Sequence, residues 1–262
     1  TGASLAGNAT KITARGFGWT HAGRSEAALS DIDVVIEPGE RVLLCGDSGS
    51  GKSTLLAAMA GVLGSDEEGT RTGELLLEDS SGLVEEPGHT IPVGLVLQDP
   101  DSQVISARVG DDIAFGCENL AYPREEIWRR VTAAKELVGP FVDLDFPTER
   151  LSGGQKQRLA LAGVIAMGAG VVLLDEPTAN LDPAGARDVV RAVSRLVEET
   201  GATLVVVEHQ HAAWDGVLDR AVELDRGRIV ADTSFAEVAQ RRQVSGLPQA
   251  RRLSEAELAQ RD

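Results

Sequence analysis

Residues 45–56 read CGDSGSGKSTLL, and this one stretch leaves the fold few options. Before it, RVLLC at 41–45 is a short apolar run with the pattern of a buried strand. After it, STLLAAMAGVL keeps apolar residues at helical spacing. The stretch is therefore a strand-to-helix turn. Gly46, Gly51, Lys52 and Ser53 fit G-x-x-x-x-G-K-[ST], with Asp47, Ser48, Gly49 and Ser50 between the glycines and Thr54 following. In such a loop the backbone N–H groups face a phosphate chain at the positive end of a helix. Lys52 would reach the β- and γ-phosphates and the Ser53 hydroxyl would hold Mg²⁺. A glycine-rich turn matching by accident is the alternative, but a strand before and a helix after are the context this motif needs.

The 262 residues suffice for an α/β unit carrying an inserted subdomain. Against 25 Lys and Arg stand 41 Asp and Glu, a formal charge of −16 that would repel a nucleic-acid backbone; the basic pairs at 129–130, 241–242 and 251–252 are isolated. No nucleic-acid partner is expected, and the acidity reads as a solvated surface. Two cysteines, Cys45 and Cys117, support neither a disulfide framework nor a Cys-based metal site and read as small buried hydrophobes in a reducing cytosol. No apolar run approaches the roughly 20 residues that span a bilayer, and no charged leader with an apolar segment opens the chain. Any membrane role would go through a partner. The chain opens on Thr1, which suggests an excised piece or one part of a longer polypeptide.

Residues 10–45 read as short strands broken by a polar loop, THAGRSEA, and a turn, PGE. GSDEEGTRTG, at 64–73, reads as a flexible acidic loop, and GELLLED and IPVGLVLQ as two further strands, so a β-rich first lobe surrounds the phosphate loop. From Asp99 to about Arg150 the character turns helical. Ile127, Val131, Ala134 and Val138 form one apolar face behind Pro123, and Trp128 and Phe115 are expected in the core. With the helix after LSGG, the inserted helical subdomain spans about 99–168. Strands and helices then alternate, which argues for a mainly parallel sheet covered on both faces. A charged helical tail fills 233–262.

Two further stretches carry chemistry. VVLLDE, at 171–176, is an apolar strand ending in two carboxylates. Ligands of parallel sheets sit at the strands' carboxyl ends, so Asp175 could hold Mg²⁺ through its water shell and Glu176 could orient the attacking water. A strand merely capped by acids is the alternative. LSGGQKQR, at 151–158, opens a helix with Ser152, Gly153, Gly154 and Gln155, which makes a second anion site from a hydroxyl, free N–H groups and a dipole end. One nucleotide does not need two cradles in one chain, so this second cradle suits the γ-phosphate held by another copy.

In their order GDSGSGKST, LSGGQ, LLDEP, NLD and EH, residues 10–232 closely resemble the ATP-binding-cassette (ABC) ATPases. The resemblance implies a P-loop, RecA-like α/β core with an N-terminal antiparallel β subdomain and an inserted helical one. It also implies Mg-ATP sandwiched in a head-to-tail dimer between the P-loop of one cassette and residues 152–155 of the other. By position Gln98 matches the glutamine that senses Mg²⁺ and the attacking water. Asp182 matches the loop that contacts the opposite subunit, and His209 matches the switch histidine at the γ-phosphate. Trp19 matches the aromatic that stacks on adenine, with Phe17 as the competing candidate. Residue by residue, Gln98 as a strand-end polar group and His209 as a satisfied core histidine are the plainer alternatives.

Within the family, QDPDSQ followed by V-G-D-D-I-A-F-G-C-E-N (Val109 to Asn119) resembles the energy-coupling-factor ATPases, motors of importers for vitamins and for cobalt or nickel ions. That resemblance implies a transmembrane scaffold whose coupling helices meet residues 98–106, a substrate-binding membrane subunit, and a peripheral place on the cytoplasmic face of the membrane. Asp47, where proline or asparagine is commoner, and Gln210 depart from the pattern without removing a catalytic group. The ATPase of an ordinary binding-protein-dependent importer and a soluble non-transport ABC ATPase are the competing readings.

Overall fold

The computed structural model describes residues 9–64, 68–139 and 142–245. In chain order the strands and helices are β1 (Lys11–His21), β2 (Leu29–Ile36), β3 (Arg41–Cys45), α1 (Lys52–Met59), β4 (Gly69–Glu78), β5 (Val84–Glu85) and β6 (Val93–Val96). There follow α2 (Val109–Asn119), α3 (Arg124–Leu137), α4 (Gly153–Met167), β7 (Val171–Asp175), α5 (Pro183–Thr200), β8 (Thr203–Val207), β9 (Arg220–Asp225), β10 (Arg228–Ser234) and α6 (Phe235–Ser245).

Two sheets divide the strands. The antiparallel one has the order β2-β1-β4-β5, and β2 alternates buried and exposed residues as a sheet with one wet face must. The other has the order β10-β9-β3-β8-β7-β6, parallel from β6 to β9 with β10 added antiparallel. Its central strands VVLLD and TLVVV are almost wholly buried because α2 to α5 cover one face and α1 with the antiparallel sheet covers the other. The apolar side chains fall into two clusters, one between the parallel sheet and α2 to α5, the other between the two sheets and α1.

The expected β-rich lobe around the phosphate loop is therefore split: β3 and β6 belong to the parallel sheet, and only β1, β2, β4 and β5 form the antiparallel one. Residues 69–73 are strand rather than flexible loop, since Thr70, Arg71 and Thr72 pair across with Thr20, Trp19 and Gly18 of β1. On α3 the face expected to be apolar, Ile127, Val131 and Ala134, is buried. Phe115 and Trp128 are not core: each is 37% exposed on the outer side of α2 and α3. Both cysteines are buried and neither forms a disulfide among the described residues. Of the tail, α6 packs Phe235 and Val238 into the larger cluster, and residues 246–262 lie outside the described residues.

Arg220 ties the two sheets together. Its guanidinium donates to both Asp232 oxygens on β10 at 2.8 and 2.7 Å, to Glu40 at 2.9 Å and to the Val35 carbonyl on β2 at 2.8 Å. The hydrogen bonds from Arg220 hold the Asp232 carboxyl below the usual carboxylate range, against a smaller opposing effect of burial. A depressed carboxyl adds stability that is present above its unfolded value and is lost as pH falls through the folded one. Arg220→Met is expected to cost about 1–2 kcal/mol at neutral pH, reduced by the partial exposure of both carboxylates. In urea melts that cost should shrink below about pH 4; an equal cost at pH 3 and pH 7 would contradict the role assigned to Asp232.

Candidate active site

The parallel sheet delivers its chemistry at one edge. The loop of residues 46–51 leaves the carboxyl end of β3, Asp175 ends β7 with Glu176 next to it, and Glu208 and His209 follow β8, the strand paired to both. An open cleft of about 560 Å³ is lined there by Ala28, Ser48, Gly49, Gly51, Lys52, Ser53, Thr54, Glu176 and His209. The loop needs its glycines. A Cβ on Gly46 (φ +137°) would come within 2.1 Å of the Leu224 carbonyl oxygen, and Gly51 (φ +105°) caps α1 in the left-handed region.

Lys52 is buried and folded onto its own loop. Its ammonium donates to the carbonyls of Gly46 at 2.9 Å and Asp47 at 2.7 Å, with Ser50 Oγ at 3.4 Å. A phosphate entering the cleft would compete with neutral carbonyls for that charge, a favourable exchange. At the far wall the Glu176 carboxylate meets His209 Nε2 at 3.0 Å. Glu176 itself is held in the left-handed region (φ +47°), where a non-glycine residue is strained, and its N–H donates to the Val207 carbonyl at 2.9 Å.

The fit of a divalent cation follows from Asp175 and Ser53. Burial pushes the Asp175 carboxyl up, as does neighbouring Glu176, while the Ser53 hydroxyl bond, Lys52 and His209 pull it down. A half-buried carboxylate beside a hydroxyl and a second carboxylate offers hard oxygen donors and too little positive charge, and Mg²⁺ suits such a set. Gln98, which follows β6, is exposed and does not line the cleft.

The other expected residues lie elsewhere. Ser152 caps α4: its Oγ accepts from Gln155 N at 3.3 Å and Gln155 Oε1 accepts from Ser152 N at 2.9 Å, a reciprocal capping box. The Gln155 side chain is thus committed to its own helix, while Ser152 and Gly153 stand exposed. Asp182 caps α5, accepting from Gly185 N at 2.9 Å. Residues 152–155 and Asp182 do not line the cleft of their own chain.

Trp19 requires correction. Its side chain is 3% exposed, its indole N–H donates to His21 Nδ1 at 3.2 Å, and its ring lies so close to Gly69 that a Cβ there would come within 2.2 Å. It offers no free face to a base. Phe17, the competing candidate, is 1% exposed. Both are buried because the inner face of the antiparallel sheet packs against α1 and the parallel sheet, and the burial of two bulky rings outweighs their display.

Two functional connections escaped the sequence reading. Glu208 is 4% exposed, and its carboxylate accepts from the Thr178 hydroxyl, from His209 N at 2.8 Å and from Gln210 N at 3.2 Å. One buried charge thus joins the loop after Glu176 to the loop carrying His209. The signal was present in TLVVVEH: a carboxylate directly after an unbroken apolar strand must find donors indoors. The second connection holds the Gln98 loop. Gln103 brackets it by accepting from Leu97 N at 2.8 Å and donating to the Leu95 carbonyl at 3.0 Å. From α4, Gln157 donates to the Leu97 carbonyl at 3.0 Å and Lys156 pairs with Asp101.

Glu208→Ala would leave a hydroxyl and two N–H groups indoors without acceptors. We expect it to destabilise the fold by about 3 kcal/mol and to lower kcat roughly 10- to 100-fold with KM little changed, whereas Glu208→Gln should recover much of the stability. Urea midpoints and steady-state turnover check this, and an Ala variant with unaltered kcat would remove Glu208 from the positioning network.

Comparison with known proteins agrees with this geometry. Residues 29–179 match the ABC transporter family. The energy-coupling factor transporter ATP-binding protein EcfA1 of Caldanaerobacter subterraneus subsp. tengcongensis is 39% identical over 216 residues, which is 82% of this chain and 76% of that protein. A putative ABC transporter ATP-binding protein of Methanosarcina mazei is 38% identical over 227 residues, 85% of this chain; the chain spans only 39% of that relative's length. The solved structure of cbiO1 from Clostridium perfringens, described as part of the ABC transporter complex cbiONQ, aligns with a TM-score of 0.71 at 31% identity, over 89% of this chain and 92% of that one. A family match over more than half the chain, on a fold that sets a phosphate loop beside Asp175, Glu176 and His209, leads to one conclusion: the chain belongs to the ABC transporter family, as an ATP-hydrolysing cassette.

Proposed function

We propose that residues 10–232 form the motor cassette of an energy-coupling-factor importer, working head-to-tail with a second cassette on another chain or on the same polypeptide. The observation that carries this reading is the separation of two anion-binding elements. The cleft around Lys52 is open, and the capped N-terminus of α4 is exposed but absent from that cleft. Each element would complete the other's site across a dimer. Ser152, Gly153 and Gly154 would then present their hydroxyl and N–H groups to a γ-phosphate bound at the partner's loop, with Asp182 beside them.

In that arrangement Lys52 exchanges its bonds to the Gly46 and Asp47 carbonyls for phosphate oxygens. Ser53 and Asp175 would hold Mg²⁺, which supplies charge neutralisation on the phosphates. Glu176, steered by His209, orients water for in-line attack and takes its proton. Gln98 would report the state of this site to the membrane partner, through a loop that Gln103, Gln157 and Lys156 fasten to α4. Closure is favoured by ATP because the γ-phosphate engages both cassettes.

No helix among the described residues is long and apolar enough to cross a membrane, so transport requires membrane partners: a transmembrane scaffold and a solute-binding subunit. Exposed Leu97, Ile105, Phe115 and Trp128, on or near the Gln98 loop and on α2 and α3, supply an apolar surface for the scaffold's coupling helices at the cytoplasmic face. The cargo would be a vitamin or a transition-metal ion, chosen by the membrane subunit. The test is to tag the native protein, extract membranes in mild detergent and identify what co-purifies. A scaffold with a small membrane subunit supports the importer, while recovery with ribosomes, DNA or nothing would overturn it and leave the ATPase standing.

A further inference from the structure

His209 is exposed, so the place of its ring depends on the backbone that carries it. The peptide plane joining Glu208 to His209 is held on both edges. On one edge the His209 N–H donates to the Glu208 carboxylate at 2.8 Å; on the other the Glu208 carbonyl accepts from His211 Nε2 at 3.1 Å. A peptide unit is rigid, so two bonds on opposite edges stop it from turning. The plane before it is fixed as well, because the Val207 carbonyl accepts from Glu176 N at 2.9 Å. His211 makes a firm post for its bond. It is buried at the start of a single helical turn, His211–Trp214, whose far end, Trp214, lies wholly inside the larger apolar cluster. The Trp214 carbonyl accepts from Val217 N at 3.0 Å and Leu218 N at 3.2 Å. Behind the imidazole stands the Phe235 ring of α6, with centroids 6.4 Å apart, and Phe235 N is tied to the Asp219 carbonyl at 2.9 Å. Facing a carbonyl oxygen, Nε2 of His211 carries the proton.

We infer that His211 is a positioning residue for ATP hydrolysis, acting through the Glu208–His209 peptide to hold the His209 ring against Glu176. The inference rests on the reading of His209 as the residue that steers Glu176. Without the Nε2 donor the peptide plane keeps only its carboxylate edge and can swing. A swing that moves the His209 ring by about 1 Å costs catalysis on the order of tenfold or more. Nucleotide binding need not suffer, since His211 lines no part of the cleft. Through Phe235, the C-terminal helix α6 thus backs the loop that carries His209.

The test compares His211→Phe, which keeps a ring against Phe235 but has no donor, with His211→Gln, whose amide nitrogen reaches the Nε2 position. ATP turnover of the full chain is measured for both, alone and in a His209→Ala background. His211→Phe is expected to lower kcat about tenfold with KM within about twofold, and His211→Gln to stay within about threefold of the wild type. In the His209→Ala background, itself slow, His211→Phe should cost nothing further, because its effect passes through the missing ring. Hydrogen exchange at the amides of residues 208–211 should quicken in His211→Phe and recover in His211→Gln. Unaltered kcat or exchange in His211→Phe beside a slow His209→Ala, a loss confined to KM, or an equal loss in both backgrounds would overturn the inference. Full turnover by His209→Ala would instead overturn the reading of His209 on which it rests. Thermal melts verify folding, and if His211→Phe does not fold, His211→Asn, whose amide ends at the Nδ1 position, takes its place with the same expectations.

Discussion

Glu176→Gln is expected to lower ATP turnover by roughly 10²- to 10⁴-fold while ATP binding changes little. The substitution keeps the volume and one carbonyl oxygen, so contact with His209 Nε2, 3.0 Å away in the wild type, can persist and the strained backbone at Glu176 need not move. What disappears is the proton acceptor. A cassette that binds ATP but cannot spend it should accumulate in the closed pair, so gel filtration should show a dimer with Mg-ATP and a monomer with Mg-ADP. Full turnover by this variant would refute the role of Glu176. Slow turnover without an ATP-dependent dimer would keep the base and count against the head-to-tail reading.

Lys52→Met should weaken nucleotide binding itself. Lys52 carries a buried charge in the loop, and two charge-assisted contacts to phosphate are worth about 3 kcal/mol together, roughly 10²-fold in Kd. The variant also frees the Gly46 and Asp47 carbonyls from their bonds to the ammonium, which loosens the loop. Fluorescent-nucleotide titration should therefore show the loss in affinity, in contrast to Glu176→Gln, where the loss lies in kcat. If Lys52→Met bound nucleotide as tightly as the wild type, the ammonium would have to remain engaged with its own loop when the cleft fills.

The contrast between these two residues and Trp19 shows what could be read in advance. Lys52 works within a continuous segment: the strand, the glycines with positive φ and the first helical turn are neighbours in the chain, so spacing alone dictates their geometry. Asp175 and Glu176 were nearly as legible, because an apolar strand of a parallel sheet ends where ligands gather. Trp19 was not. Position within FGW says that an aromatic stands there, but whether its ring faces a cleft or the interior depends on β4, some fifty residues later, pressing Gly69 against it. Phe115 and Trp128 erred the other way, since a fraction of a turn on α2 or α3 decides between core and solvent: their chain neighbours Ala114 and Ile127 are buried.

Glu208 shares that limit. Thr178 and Glu208 lie thirty residues apart and meet only because β7 and β8 are paired in register. The sequence alone determined the family, the phosphate loop, the order of the strands carrying acids and the helix start at Ser152, because each is written in consecutive residues whose backbone geometry is local. Only the tertiary structure decided which way side chains face and which loops share a buried carboxylate, because these depend on contacts between distant segments whose free energies are settled by packing.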